Sequence, residues 1–159
     1  MCLMRKVLLA VSAAVVMVVG LGASAGASRM IAPEADVAYH GHVSLTGGRL
    51  GVSLEPESHG PASLVNATLK LSFSVPLAGA QVLPEGCLWG AENVVLCATG
   101  PMKAGGPGRT IALDLRTVGA PDEVIVKIGT HWNGGATDRN PDNNEHEVLV
   151  PATGDAYVF

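Results

Sequence analysis

Basic residues are scarce in this 159-residue chain, which has 10 Lys and Arg against 14 Asp and Glu and a formal net charge of −4. Two of the basic residues, Arg5 and Lys6, lie close to the first residue, so the rest of the chain is more acidic still. A protein that binds nucleic acid or an anionic lipid surface needs a basic patch, and the sequence offers none. We therefore expect neither nucleic acid nor a membrane among the partners of the mature protein.

Residue patterns that carry catalysis are also missing from most of the chain. The nucleophile pattern G-x-S-x-G occurs at residues 22–26, inside a segment that we expect to be removed. The run "EHEVLV" at residues 145–150 lacks the second His of a zinc-protease helix. The sequence therefore predicts no enzyme activity, no catalytic residues and no cofactor.

The first 27 residues have the three parts of a secretory signal peptide. Arg5 and Lys6 precede an apolar run from Val7 to Leu21, and small residues follow it. We expect cleavage after Ala25 or Ala27, because a retained membrane anchor needs about 20 apolar residues. The mature protein is predicted to be secreted or extracellular, and it could also associate with the cell envelope.

Cysteine is rare, with three residues in all, and two of them remain after signal-peptide removal. Cys87 and Cys97 bound the segment "CLWGAENVVLC", whose centre has the composition of a turn. In an oxidising compartment such a pair can form a disulfide across two short antiparallel strands. We predict this bond, which would stabilise the fold by roughly 2.5–3 kcal/mol in the chain-entropy model.

Apolar and polar residues alternate along much of the mature chain, as they do in half-buried strands. The clearest examples are "ATLKLSFSV" (67–75), "RTIALDL" (109–115) and "EVIVKIGT" (123–130). Turn signals rich in Gly, Pro and Asn separate these runs. The pattern predicts an all-β sandwich of about seven to nine antiparallel strands. We place it at residues 36–150, after a disordered leader at 28–35 and before a C-terminal tail at 151–159.

Four segments together resemble an immunoglobulin-like repeat domain of unknown function from bacterial secreted and surface proteins. They are "ESHGPASLVNATLKLSFSVP" (57–76), "GC…VLC" (86–97), "GPMKAGG" (100–106) and "DRNPDNNEHEVLV" (138–150). The chain departs from that family at Ser58, where the family has Asn, and at Val75-Pro76, where it has Leu-Pro. It also carries one copy instead of a tandem array. The resemblance implies an immunoglobulin-like β-sandwich and a role in adhesion, close to the bacterial cell-adhesion-related domains.

The stretch "TDRNPDNNEHEVLV" has oxygen-bearing side chains at alternate positions, which suits calcium. The calcium candidates are Asp138, Asn140, Asp142 and Asn144. A helix-loop-helix calcium loop that starts at Asp138 would need Gly at its sixth position and Glu at its twelfth, where this chain has Asn143 and Leu149. We therefore predict a structural turn and no metal, and calcium remains the alternative.

The turn hypothesis makes three local predictions. Asn140-Pro141 should begin the turn, Asp142 and Asn143 can bond to their own backbone, and Asn144 tolerates a positive φ before Glu145 starts the strand.

His40 and His42 are two residues apart on a predicted strand, so their rings should point to the same face. A zinc site needs more ligands, and the sequence does not show whether His59, His131 or His146 lies nearby. We interpret His40 and His42 as exposed surface residues.

Trp89, between the cysteines, and Trp132, beside "NGG", are the candidate binding residues, although core or loop packing would also explain them. The predicted function is a secreted, non-catalytic binding or cell-surface module whose partner is an extracellular protein or cell-wall glycan. A structural envelope component is one alternative. A secreted enzyme inhibitor that presents "CLWGAENVVLC" is another, since a disulfide-braced loop loses little entropy on binding.

Overall fold

The computed structural model describes residues 31–159, so the predicted signal peptide lies outside the described residues. This part of the chain contains twelve strands and one short 3-10 helix at Pro141–Asn144. The strands are β1 (Glu34–Ala35), β2 (Val37–Thr46), β3 (Arg49–Ser58), β4 (Thr68–Phe73), β5 (Cys87–Ala91), β6 (Val94–Ala98), β7 (Gly106–Pro107), β8 (Ile111–Arg116), β9 (Glu123–Trp132), β10 (Thr137–Asp138), β11 (His146–Pro151) and β12 (Tyr157–Val158). Among residues 31–159, no helix is long and apolar enough to cross a membrane.

Two antiparallel sheets form the sandwich. The first sheet has the order β12-β2-β3, and β3 pairs on its other side with β7 and β8. The second sheet has the order β11-β9-β4-β6-β5. A separate parallel pair joins β1 to β10. The predicted all-β sandwich is thus confirmed, and its eight strands of five residues or more, β2 to β6, β8, β9 and β11, agree with the expected number.

The alternation that predicted the strands also builds the core. In β4 the buried residues Leu69, Leu71 and Phe73 alternate with more exposed neighbours, and β8 shows the same pattern. The inward side chains of the two sheets form one apolar cluster. Its largest fully buried members include Tyr39, Leu45, Leu50, Leu54, Leu69, Leu71, Met102 and Leu115. Each sheet therefore covers the apolar face of the other.

A two-residue glycine turn sets the register of the longest hairpin. Gly47 and Gly48 have φ angles of 55° and 75°, which match a type I′ turn between antiparallel strands. The turn places Thr46 opposite Arg49, and the pairing continues without a break to Val37 and Ser58. The outward residues of β2 and β3 consequently share one face of the first sheet.

Strand pairing extends beyond the predicted limits of the sandwich. Glu34–Ala35, placed by the sequence in a disordered leader, pairs with Thr137–Asp138. At the other end, Tyr157–Val158 pairs with β2, and the backbone of Phe159 bonds to Gly41 in both directions. The C-terminal segment thereby pairs with part of the β2 edge, which would otherwise be open. Strands therefore lie on both sides of the predicted range 36–150.

Candidate functional site

The predicted disulfide is present and joins the two strands of a hairpin. Cys87 on β5 lies directly opposite Cys97 on β6, and their sulfur atoms are bonded. Cys97 is fully buried, so the bond points into the sandwich. It anchors β5, the outermost strand of the second sheet, to the core.

Strand β5 is an edge strand with exposed apolar side chains. Its only strand neighbour among residues 31–159 is β6, so its other side is open to pairing. Leu88 is 58% exposed and Trp89 is 40% exposed. The register shifts between Trp89 and Ala91, which marks an irregularity at Gly90.

Trp89 lies beside an apolar cleft of about 290 Å³. The indole stands opposite Val95, on the side of the hairpin that carries the disulfide, yet it remains partly exposed because the sheet ends here. The cleft is lined by Pro76, Leu77, Ala78, Gly79, Ala80, Trp89, Ala91, Glu92 and Asn93. A partly desolvated tryptophan against small apolar residues is typical of a contact site for another molecule.

Asn93 fixes the position of this cleft. It occupies the turn between β5 and β6 with a φ of 57°, a left-handed conformation that Asn tolerates better than most residues. Its side-chain Oδ1 accepts a hydrogen bond from the amide of Leu77 at 3.0 Å, and its carbonyl accepts one from Phe73 at 3.0 Å. The two walls of the cleft are thus tied together by one residue, which the sequence analysis missed.

The edge of the first sheet next to this cleft is covered, in contrast to β5. Leu77 forms a bridge with Thr117, and the amide of Ala78 donates to the carbonyl of Arg116 at 2.8 Å. The Gln81 side chain donates to that same carbonyl at 3.0 Å and accepts from the amide of Arg116. Segment 77–81 therefore forms hydrogen bonds along the edge of β8, in the position that another strand would occupy.

Trp132, the second candidate binding residue, lies elsewhere. It ends β9 opposite Thr68, is 49% exposed, and does not line the cleft around Trp89. The structure therefore does not bring the two tryptophans into one site.

A wider groove crosses the outer face of the second sheet at Gly129, because glycine has no side chain to fill this space. Its volume is about 550 Å³, and Lys70, Lys127, Glu145 and Glu147 are among its lining residues. Lys127 and Glu147 form an exposed ion pair at 2.9 Å. The groove is thus lined by charges of both signs, and exposed pairs of this kind contribute little binding or stability.

The 137–144 stretch forms a turn in which Asp138 is bound by the protein itself. One carboxylate oxygen accepts from the amide of Val37 at 3.2 Å and the side-chain amide of Asn144 at 2.9 Å. The other accepts from the amide of Asn140 at 2.9 Å. Asp142 is exposed, whereas Asn144 is buried. Three of the four calcium candidates, Asp138, Asn140 and Asn144, are therefore joined by hydrogen bonds.

The observed turn differs from the expected one in two respects. Asn144 does not have a positive φ, because it lies inside the 3-10 helix. The side-chain amide of Asn143 donates a hydrogen bond to a carboxylate oxygen of Asp36 at 2.6 Å, and Asp36 directly precedes β2. The bond from Asn143 to Asp36, next to the start of β2, is a long-range contact that local turn rules do not include.

The histidines do not form one common cluster. His40 and His42 are both exposed on β2, as expected. The ring of His40 stacks with that of His59 at a centroid distance of 6.2 Å. His131 is exposed near the end of β9, and His146 packs against Phe159 at 5.2 Å.

Comparisons with known proteins give no family. No family model and no curated protein matches the chain. Among solved structures, it is similar to beta-glucosidase 3B from Thermotoga neapolitana in complex with alpha-D-glucose, with 16% identity and a TM-score of 0.47 over 79% of this chain. The complex of the same enzyme with glycerol gives 14% identity and a TM-score of 0.46 over 79% of this chain. The chain spans 17% of the length of each enzyme chain.

Proposed function

We propose that this protein is a secreted, non-catalytic binding module that holds an extended segment of another extracellular protein along β5 and the Trp89 cleft. The observation that carries the proposal is the partly exposed indole of Trp89, which borders an apolar cleft beside an edge strand. The disulfide supports an extracellular location, because such bonds persist in oxidising compartments.

Two features of the site favour a protein segment as the occupant. The open side of β5 offers backbone N–H and C=O groups that an extended peptide can pair with, as in strand addition. The cleft offers one apolar pocket for a side chain of that peptide, and Asn93 and the disulfide hold it in shape before binding. A preformed site loses less entropy when the partner binds.

The test is a pull-down of the purified protein on isolated cell envelope and on culture-fluid proteins, with envelope samples also treated with protease. We expect retention that protease removes and that Trp89→Ala weakens at least tenfold, about 1.4 kcal/mol, since tryptophans dominate many interfaces. Trp132→Ala is the matched control because it removes the same exposed ring elsewhere. Retention that survives protease would indicate a wall glycan and overturn the assignment of a protein partner, and equal effects of both variants would overturn the site.

A secreted enzyme inhibitor would use the same hairpin, and the same pull-down distinguishes it from an adhesion module. Its disulfide-braced β5–β6 hairpin could insert into an enzyme's cleft with little loss of entropy. A captured hydrolase whose activity falls when the purified protein is added would identify an inhibitor. A captured protein without such a loss would favour adhesion or envelope association.

A further inference from the structure

Three side chains that could bind a metal lie together on the outer face of the first sheet, away from β5. The β2–β3 register places His40 opposite Glu55, and Glu57 and His59 follow at alternate positions on the same side. The intervening residues Pro56 and Ser58 are buried. His40, Glu57 and His59 are therefore displayed toward solvent, and the fold brings the two histidines together although they are far apart in sequence.

The distances within this group suit a shared ligand. One ligand atom from each of His40, Glu57 and His59 lies within 4.8 Å of the other two. The two rings are stacked with their planes 30° apart, and Nε2 of His59 is 3.3 Å from Oε2 of Glu57. An ion pair would explain the contact of His59 with Glu57, but it would not explain why His40 joins the same group.

Two backbone contacts fix the position of His59. Its amide donates to the carbonyl of Asp36 at 2.6 Å. The next residue is Gly60, and a Cβ at that position would lie 2.5 Å from the backbone nitrogen of Asp36. Only glycine allows this close approach, so the chain leaves β3 along one path and presents His59 toward His40.

We propose that His40, Glu57 and His59 bind one divalent transition-metal ion, for which Zn²⁺ is the best match. Two imidazoles and one carboxylate are a frequent zinc ligand set, with bonds of about 2.0–2.2 Å. Calcium and magnesium prefer oxygen ligands throughout and would not use the histidines. Ligand atoms on one tetrahedral zinc ion lie about 3.3 Å apart, so small rotations of three solvent-facing side chains would close the site. The fourth position would hold water or a side chain from another protein.

The experiment is calorimetric titration of the purified full chain with zinc chloride after removal of metal by a chelator. We expect one zinc ion per chain. His40→Ala and His59→Ala should each weaken binding at least tenfold, and Glu57→Gln should weaken it less. His42→Ala is the matched control, because His42 is an exposed histidine on the same strand and face but is not one of the three ligands. It should leave zinc affinity unchanged.

Two results would overturn the site: no zinc binding by the unaltered protein, or zinc binding that the His40 and His59 variants retain in full. An equal loss in His42→Ala would also overturn it, since that would indicate diffuse binding by surface histidines. Thermal melting of each variant in chelator shows whether it folds. Cobalt in place of zinc adds an optical readout, with a visible absorption band expected in the unaltered protein and lost in His40→Ala.

Discussion

The cluster around Asp138 and the cluster around His40 both lie beside the start of β2, yet their polar atoms have opposite surroundings. The carboxylate oxygens of Asp138 accept three N–H groups from the protein. The ligand atoms of His40, Glu57 and His59 are close to one another on an outer face of the sheet. From this contrast we expect the oxygens of Asp138, which the protein itself uses as hydrogen-bond acceptors, to be poor metal ligands.

The largest expected effect concerns Asp138. Asp138→Ala should lower the free energy of unfolding by about 2–4 kcal/mol, because it leaves the buried amide groups of Val37 and Asn144 without their acceptor. The loss should be the same in calcium and in chelator, as measured by urea unfolding. Asp142→Ala, an exposed change in the same turn, and His59→Ala, measured in chelator, should each cost less than about 0.5 kcal/mol. A calcium-dependent loss at Asp138 would overturn its assignment as a structural residue of the turn.

Tyr39 sharpens the comparison, because it precedes His40 on β2 but points into the core. The pKa of Tyr39 is raised to about 12, mainly by burial, while the hydrogen bond with Thr130 at 2.8 Å lowers it and the charge of Asp138 raises it. Above pH 10 the unfolded chain loses this proton while the folded protein keeps it. The free energy of unfolding should therefore be unaffected by Tyr39 below pH 10 and should fall by up to about 2.7 kcal/mol between pH 10 and 12.

Tyr39→Phe is the control for this pH dependence. The variant cannot ionise at residue 39, so its stability should fall less steeply above pH 10 than that of the unaltered protein. At neutral pH it should lose about 0.5–1.5 kcal/mol, the usual contribution of one hydrogen bond. Equal slopes for the two proteins in urea unfolding at pH 9–12 would show that Tyr39 is not buried as described.

Much of the fold could be predicted from local patterns. Alternation in "ATLKLSFSV" and "RTIALDL" identified β4 and β8, since a strand covered on one face needs that period. The spacing of Cys87 and Cys97 around a turn identified the disulfide. The residues on the outward face of β2 and β3 could also be predicted. The Gly47-Gly48 turn fixes the register, and counting back from the turn places His40 opposite Glu55.

The rest depended on contacts between distant segments. No local pattern shows that β1 pairs with β10, or that β12 returns to β2, because such short strands are stabilised by contacts with segments distant in sequence. The approach of His59 to His40 required both the register and the tight path at Gly60. To predict the Trp89 cleft, one would likewise need the position of segment 76–80, which depends on Asn93 and Gln81.

The most direct test of the contrast between the clusters is dialysis of the purified protein against a buffer with equal concentrations of calcium and zinc, followed by elemental analysis. Because the Asp138 oxygens are already bonded and the His40 cluster faces solvent, we predict one zinc ion and no calcium per chain. Retention of calcium, with or without zinc, would contradict the structural role of Asp138. A protein that retained neither ion would contradict the metal site at His40, Glu57 and His59.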